Sequence, residues 1–277
     1  MLDFQLMKND QAAGLRRIMA KPKPSVVSVL SASTPQAQTR FLTNLASTLA
    51  NQGSNVIVMH ASESALAPSY ELEQAPTLLE VIQDKHTIQQ AIKSTSYGFS
   101  SVKLMQKELL SKIDNYHITS QLNLLFNQVV NQYDMVLVDA ALNKKNVLPL
   151  NQLNQSEIII QLTNKPESIT QAYSLIKMLC NELGRRSFGI IIDNATHEQA
   201  QTVFTNIAQV AKRFIQIELQ FFGAIPADTH LTRASKLGRS VIDAFPFSIA
   251  STALKQIAQR LEYKHDSVFN HKQASYN

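Results

Sequence analysis

The 277-residue sequence predicts an α/β fold: a mostly parallel β-sheet with helices on both faces, preceded by a short N-terminal helical extension. Strand-sized apolar runs recur along the chain, at residues 26–30, 55–60, 133–139, 157–162 and 188–193. Continuous runs of this kind suit strands covered on both sides. Between them lie stretches with apolar residues at helical spacing. With 44% hydrophobic residues the chain can build a real core, and no apolar run approaches the roughly 20 residues needed to cross a bilayer.

Residues 1–24 form an extension. Asp10 is a good N-cap, Leu15, Ile18 and Met19 share a helical face, and Pro22 and Pro24 end the helix before the first strand. Such a helix either docks on its own domain or is offered to a partner groove. The N-terminus carries acids and lacks the apolar core of a secretory signal.

The first strand leads through SASTPQAQT, read as a loop over residues 31–39, into a helix whose buried face is Phe41, Leu42, Leu45, Ala46 and Leu49, ending at Gly53. NVIVMH at 55–60 is the next buried strand, completing a βαβ unit. Residues 62–74 read as loop, with Pro68 and Pro76 as breakers. Short helices start at Leu78, Leu79 and Ile82 and again at Ile88, Ala91 and Ile92; residues 97–105 carry a poor strand pattern.

Leu122, Leu125, Phe126, Val129 and Val130 form the stripe of a helix leading into the strand YDMVLVD at 133–139. EIIIQL at 157–162 is followed by a helix with Ile169, Ala172, Leu175, Ile176, Leu179, Cys180 and Leu183 on one face. The single cysteine, Cys180, is therefore read as a core residue, and with no partner for a disulfide the chain suits a reducing cytoplasm. A strand at 188–193 precedes a helix carrying Ala200, Val203, Phe204, Ile207, Ala211 and Phe214; a strand around 218–223, the tetrapeptide IPAD at 225–228 and a final helix from about 249 to 261 complete the domain. The partition is an extension at 1–24, one α/β domain at 25–262 and a polar tail at 263–277.

The 26 basic and 21 acidic residues give a formal charge of +5, and the pI is near 9.2. That balance admits an acidic partner, nucleic acid or a lipid surface, but the basic residues are scattered and read as a solvated face. The tail after Leu261 has no apolar stripe, which speaks against membrane anchoring through it.

Three stretches resemble the FlhG (FleN) type of MinD/ParA deviant P-loop ATPases, and together they span most of the chain. DQAAGLR at 10–16 is similar to that type's N-terminal DQAxxLR element. PESITQAYSLIKML at 166–179 is similar to its P-x-S-I-T-D-A-Y helix start. SFGIIIDNATHEQAQTVFTNIAQVAKRF and LQFFGAIPAD resemble the section that carries an adenine-contacting Asn and a Pro-x-Asp loop, which places those roles on Asn194, Pro226 and Asp228.

The resemblance also shows what has changed. The family loop S-G-K-G-G-V-G-K-T falls on SASTPQAQT without a gap, so Ser33 stands at the signature lysine, Gln38 at the P-loop lysine, and Thr34, Pro35 and Ala37 at glycines; Ser31 and the magnesium-side Thr39 are retained. Pro35 removes an N–H donor and the added Cβ atoms crowd the phosphate approach. Gln38 cannot neutralise charge. A hydrogen bond to a charged group is worth about 1.5–3 kcal/mol, so losing two such contacts weakens triphosphate binding by about 10²–10⁴. The family's D-x-D at the end of the second strand is replaced by His60, Ala61 and Ser62, and His60 is read as a polar strand-end residue without an acidic neighbour. Asp139 matches the Walker B position.

These positions are therefore expected to be a vestigial nucleotide site. No catalytic residue, resident metal or cofactor is expected, with room left for weak ADP or ATP binding on the base side. The resemblance implies a non-hydrolysing regulator of flagellar placement or number, engaging an FlhF-type signal-recognition GTPase through Asp10, Gln11, Ala12, Leu15 and Arg16. Flagellar switch proteins or a flagellar transcription activator are further implied partners. The implied location is cytoplasmic, with recruitment to the cell pole or flagellar base. Without the signature lysine that crosses the family's dimer interface, the expected state is a monomer or a nucleotide-independent dimer. A divergent ATPase using Thr39 and Asp139, and a non-specific DNA or membrane-surface binder, are the alternatives.

Overall fold

A computed structural model describes residues 24–61, 72, 74–83, 85–104, 116–143 and 145–274. The N-terminal calls at Asp10, Gln11, Ala12, Leu15 and Arg16 lie outside the described residues. The elements are β1 (Ser25–Ser31), α1 (Pro35–Asn51), β2 (Val56–His60), α2 (Leu78–Ile82), α3 (Ile88–Ala91), β3 (Lys93–Ser94) and β4 (Ser100–Lys103). Then come α4 (Tyr116–Val130), β5 (Met135–Asp139), a 3₁₀ turn (Asn151–Gln155), β6 (Glu157–Thr163), α5 (Pro166–Leu183), β7 (Phe188–Asp193) and α6 (His197–Phe214). β8 (Leu219–Ile225), α7 (Thr229–Lys236), α8 (Val241–Ala244) and α9 (Ile249–Ala274) close the chain.

Among the described residues the sheet has eight strands in the order β3-β4-β2-β5-β1-β6-β7-β8. All pairings are parallel except the short antiparallel β3–β4 pair at one edge. The predicted mostly parallel sheet is thus present. β1 lies between β5 and β6, so the chain leaves it in opposite directions and a crevice opens beyond its C-terminal end, the place where such sheets hold ligands.

Continuous apolar strands follow from burial on both faces. One core cluster joins Ile57, Val136, Val138 and Ile160 to Phe126, Val129, Ile176 and Ile207. The other joins Val27, Val29, Leu137 and Ile159 to Leu45, Leu49, Leu254 and Ile257. Cys180 belongs to the first cluster, and burial pushes its thiol pKa up, as suits a packing residue.

Three boundaries depart from the sequence reading. Helix α1 begins at Pro35, inside the stretch expected to be loop, because Thr34 is extended, caps the helix with its side chain and is followed by Pro at the first helical position. The last helix continues to Ala274 rather than ending near residue 261, since no Gly or Pro stops it; Leu261 is the last buried side chain described. β8 likewise runs on to Ile225, past a bulge in which Ile190 pairs with Phe221 and Ile191 with Gly223. Phe222 is the extra residue, and the carbonyls of Phe221 and Phe222 on this edge strand accept from Arg260, which blunts the edge.

Buried Asn44 ties α1 to α8: its Oδ1 accepts from the Val241 N–H at 2.7 Å and its Nδ2 donates to the Arg40 carbonyl at 2.8 Å. Asn44→Ala strands the buried Val241 donor, so urea unfolding is expected to show a loss of about 1–3 kcal/mol.

Candidate functional site at the C-terminal edge of the sheet

The residues bordering the crevice come from the ends of β1, β2, β5, β6 and β7. β1 ends at Ser31, whose Oγ accepts from the Ser33 N–H at 3.1 Å. The turn then closes at once. The Thr34 carbonyl accepts from the N–H groups of Ala37 (3.0 Å) and Gln38 (3.1 Å), and Thr34 Oγ1 also accepts from Ala37 at 3.3 Å. In a phosphate-cradling loop such N–H groups point outward to the ligand. Here they complete the first turn of α1.

Gln38 turns inward. Its Nε2 donates to the Val29 carbonyl on β1 at 2.9 Å and reaches the Ala140 carbonyl beyond β5 at 3.5 Å. A lysine would carry its charge toward solvent or ligand from this position; the shorter, neutral carboxamide instead satisfies main-chain acceptors of the sheet. Thr39 follows on the same turn, and its carbonyl accepts from Thr43 Oγ1 at 2.8 Å.

The expectation that His60 lacks an acidic neighbour is corrected. The register places His60 on β2 opposite Asp139 on β5, both at strand ends, and His60 Nδ1 lies 3.1 Å from Asp139 Oδ2. Their side chains are only 4% and 3% exposed. A buried charge without a partner is costly, and the Asp139 carboxylate is matched by an imidazole from the adjacent strand. His60 Nε2 is buried and has no hydrogen-bond partner among the described residues. No cluster of three or more His, Cys, Asp or Glu suited to a metal occurs among the described residues.

A second polar group flanks the loop and was not foreseen. Arg40 on α1 pairs with Asp193 at the end of β7 at 3.2 Å, and Gln161 Nε2 on β6 reaches the same carboxylate at 3.3 Å and the Ala37 carbonyl at 3.5 Å. Ser168 at the start of α5 donates to the Ala32 carbonyl at 2.6 Å and accepts from the Thr163 N–H at 2.9 Å. The loop is thus held from β5, β6, α5 and β7. The sequence signal for these contacts was polar residues at strand ends, but pairing them required the strand order.

After β7, Asn194 is exposed and left-handed, with φ 58°, and its N–H donates to Asp193 Oδ1 at 2.9 Å. The Ala195 N–H reaches the Ile225 carbonyl at 3.3 Å, so the turns bearing Asn194 and Pro226 are neighbours. Asp228 points elsewhere. It caps α7 by accepting from the His230 N–H at 2.9 Å, pairs with the His230 ring at 2.7 Å, and accepts from the Ala250 N–H at the start of α9 at 3.1 Å. Burial pushes its carboxyl pKa up, but the donors of His230 and Ala250 outweigh that and hold it below the ordinary 3.8. Asp228 therefore joins two helix starts.

No family model matches the chain. It is 26% identical over 242 residues to the antiactivator FleN of Pseudomonas aeruginosa, covering 86% of each chain. It is also 22% identical over 241 residues to an uncharacterized ATP-binding protein of Methanocaldococcus jannaschii, covering 85% of this chain and 86% of that one. Among solved structures it resembles the MinD cell division protein of Aquifex aeolicus, with a TM-score of 0.64 and 18% identity over 86% of this chain and 96% of that one. It resembles a ParA family ATPase of Chlorobium tepidum with a TM-score of 0.61 and 20% identity, over 86% of this chain and 99% of that one.

Because the Asp228 carboxyl is depressed on folding, its stabilisation is complete above the unfolded pKa and fades as pH falls through the lower folded value. Asp228→Ala is expected to cost about 1–2 kcal/mol at pH 7, and the gap to the parent protein should shrink below about pH 4 in unfolding measurements at a series of pH values. With its sheet order, its crevice and these relatives, the chain is a homologue of FleN built on the MinD/ParA-like P-loop NTPase fold.

Proposed function

We propose that this protein is a non-hydrolysing FleN-like regulator of flagellar placement or number that acts through protein–protein binding. The observation that carries the reading is the closed β1–α1 turn. The Ala37 and Gln38 N–H groups bond to Thr34, Pro35 has none to give, and the Gln38 carboxamide is spent on Val29 and Ala140. These residues do not fit a magnesium triphosphate held in the family's manner: the N–H groups of Ser33, Ala37 and Gln38 are committed to Ser31 and Thr34, both lysine positions are neutral, and the Asp139 carboxylate at the Walker B position faces His60. Thr39 is the remaining family ligand on the loop, and one hydroxyl does not replace the lost cations.

A scaffold retained without this chemistry suits a binding role. The relative FleN is an antiactivator, which makes a flagellar transcription activator a candidate partner of this chain. The DQAAGLR segment supports a second one. Its likeness to the N-terminal element of FlhG proteins points to an FlhF-type GTPase, with Gln11 or Arg16 the side chain that reaches the partner's active site. Both contacts need surface and no turnover.

The test is GTP hydrolysis by a purified FlhF-type GTPase mixed with the full chain and no ATP. The full chain is expected to raise the rate, and Gln11→Ala or Arg16→Ala to remove most of the increase, since each deletes a charge-assisted or hydrogen-bonding group worth about tenfold or more at an active site. An unchanged rate with the intact chain would overturn the FlhF assignment.

A further inference from the structure

Helix α9 has two unlike faces. Ala250, Leu254, Ile257, Ala258 and Leu261 are buried, in the cluster that holds Leu45 and Leu49 of α1 and Phe222 of β8. At about 3.6 residues per turn, the opposite side carries Ile249, Gln256 and Tyr263 at seven-residue spacing, with Thr252, Gln259 and Arg260 between them. All six are exposed. The ends of this stripe are apolar: Ile249 is 58% and Tyr263 76% exposed, and Phe247, just ahead of the helix, is 94% exposed. Ser248 caps the helix by accepting from the Ser251 N–H at 3.1 Å, so Phe247 holds the position from which an apolar side chain ordinarily packs onto the first turn. Here it stands free. An open recess of about 500 Å³ lies at the other end, lined by Gln256, Gln259, Arg260 and Tyr263.

The stripe is complementary to itself. Gln256 lies midway between Ile249 and Tyr263, so a second α9 laid antiparallel about a two-fold axis at Gln256 sets Ile249 of each copy against Tyr263 of the other. Thr252 then meets Arg260, and the two Gln256 side chains meet at the axis. A carboxamide both donates and accepts, so two of them can pair there. Arg260 faces a hydroxyl, and its own copy lies about 12 Å away along the helix, beyond a Debye length of about 10 Å. Its Nη1 is already held by the carbonyls of Phe221 and Phe222. Seven-residue spacing keeps such a stripe on its mate, as in a two-stranded coiled coil.

We propose that the outer face of α9 is a self-association surface that takes a second copy of this chain in an antiparallel, two-fold dimer formed without nucleotide. Two considerations favour a second copy over a different protein. Phe247, Ile249 and Tyr263 expose roughly 450 Å², and the polar side chains between them bring the patch to about the 800 Å² per side of a standard interface. A foreign partner needs no symmetry in this surface, whereas a two-fold pair needs a self-pairing centre with apolar groups at equal distances on either side, and Gln256 with Ile249 and Tyr263 supplies it. The stripe lies on the side of α9 turned away from α1, and the dimer does not depend on the state of the β1–α1 turn.

Sedimentation equilibrium of the full chain without nucleotide, loaded from about 1 to 300 μM, tests this. Monomer and dimer are expected in exchange, with a micromolar Kd because the centre of the interface is polar. Ile249→Asp or Tyr263→Asp should weaken the dimer roughly hundredfold, since each apolar contact is worth about tenfold and occurs twice in a two-fold pair. Both side chains are exposed, so far-UV circular dichroism should show the variants folded like the parent. Gln256→Cys is expected to give a disulfide-linked dimer on mild oxidation. Thr252→Cys, about 12 Å from its own copy along the helix, is not, because a disulfide needs Cα atoms within about 7 Å. A chain that stays monomeric up to about 300 μM would overturn the proposal and leave the stripe to a different protein. So would a dimer that Tyr263→Asp does not weaken, one that cross-links through Thr252→Cys and not through Gln256→Cys, or one that forms only with magnesium ATP.

Discussion

The carboxamide of Gln38 joins the main chain of β1 to the strand beside it, and the rest of the crevice is arranged around that contact. A lysine at this place would need an anion. Glutamine needs only carbonyls, and the sheet supplies them at Val29 and Ala140. Once it turns inward, the peptide units before it are free to bond among themselves, and Thr34 and Pro35 make that the favoured outcome by capping a helix. The residues from Pro35 onward form the first turn of α1.

The polar groups at the strand ends around this turn must find partners, because buried carboxylates and amides left alone destabilise the fold. They do so across strands. Asp139 meets His60, Asp193 meets Arg40 and Gln161, and Asp228 meets His230 and the N–H of Ala250. The strand order makes these pairings possible: it sets the β2 end, with His60, beside Asp139 at the end of β5.

Most of the fold was legible because buried parallel strands advertise themselves. Runs such as EIIIQL and FGIIID, separated by stripes like Ile176, Leu179 and Cys180, leave little choice of element. Helix α1's true start was legible too, in the Thr34-Pro35 pair, but the likeness to a phosphate loop drew the reading toward a loop. The His60–Asp139 pair could not be read from spacing, since 79 residues separate the two and only the strand order sets β2 beside β5. The extension of α9 was marked only by the absence of a stop signal.

The central claim, that the β1–α1 turn is structure and not a triphosphate site, is open to one direct measurement. Backbone amide resonances of Ala37 and Gln38 should keep their chemical shifts when magnesium ATP is added up to about 10 μM, where a family site of micromolar affinity weakened 10²–10⁴-fold, to a Kd of roughly 0.1–10 mM, stays at least about nine-tenths empty. Saturable shifts at those two amides at micromolar ATP would show donors released to a phosphate and would contradict the account.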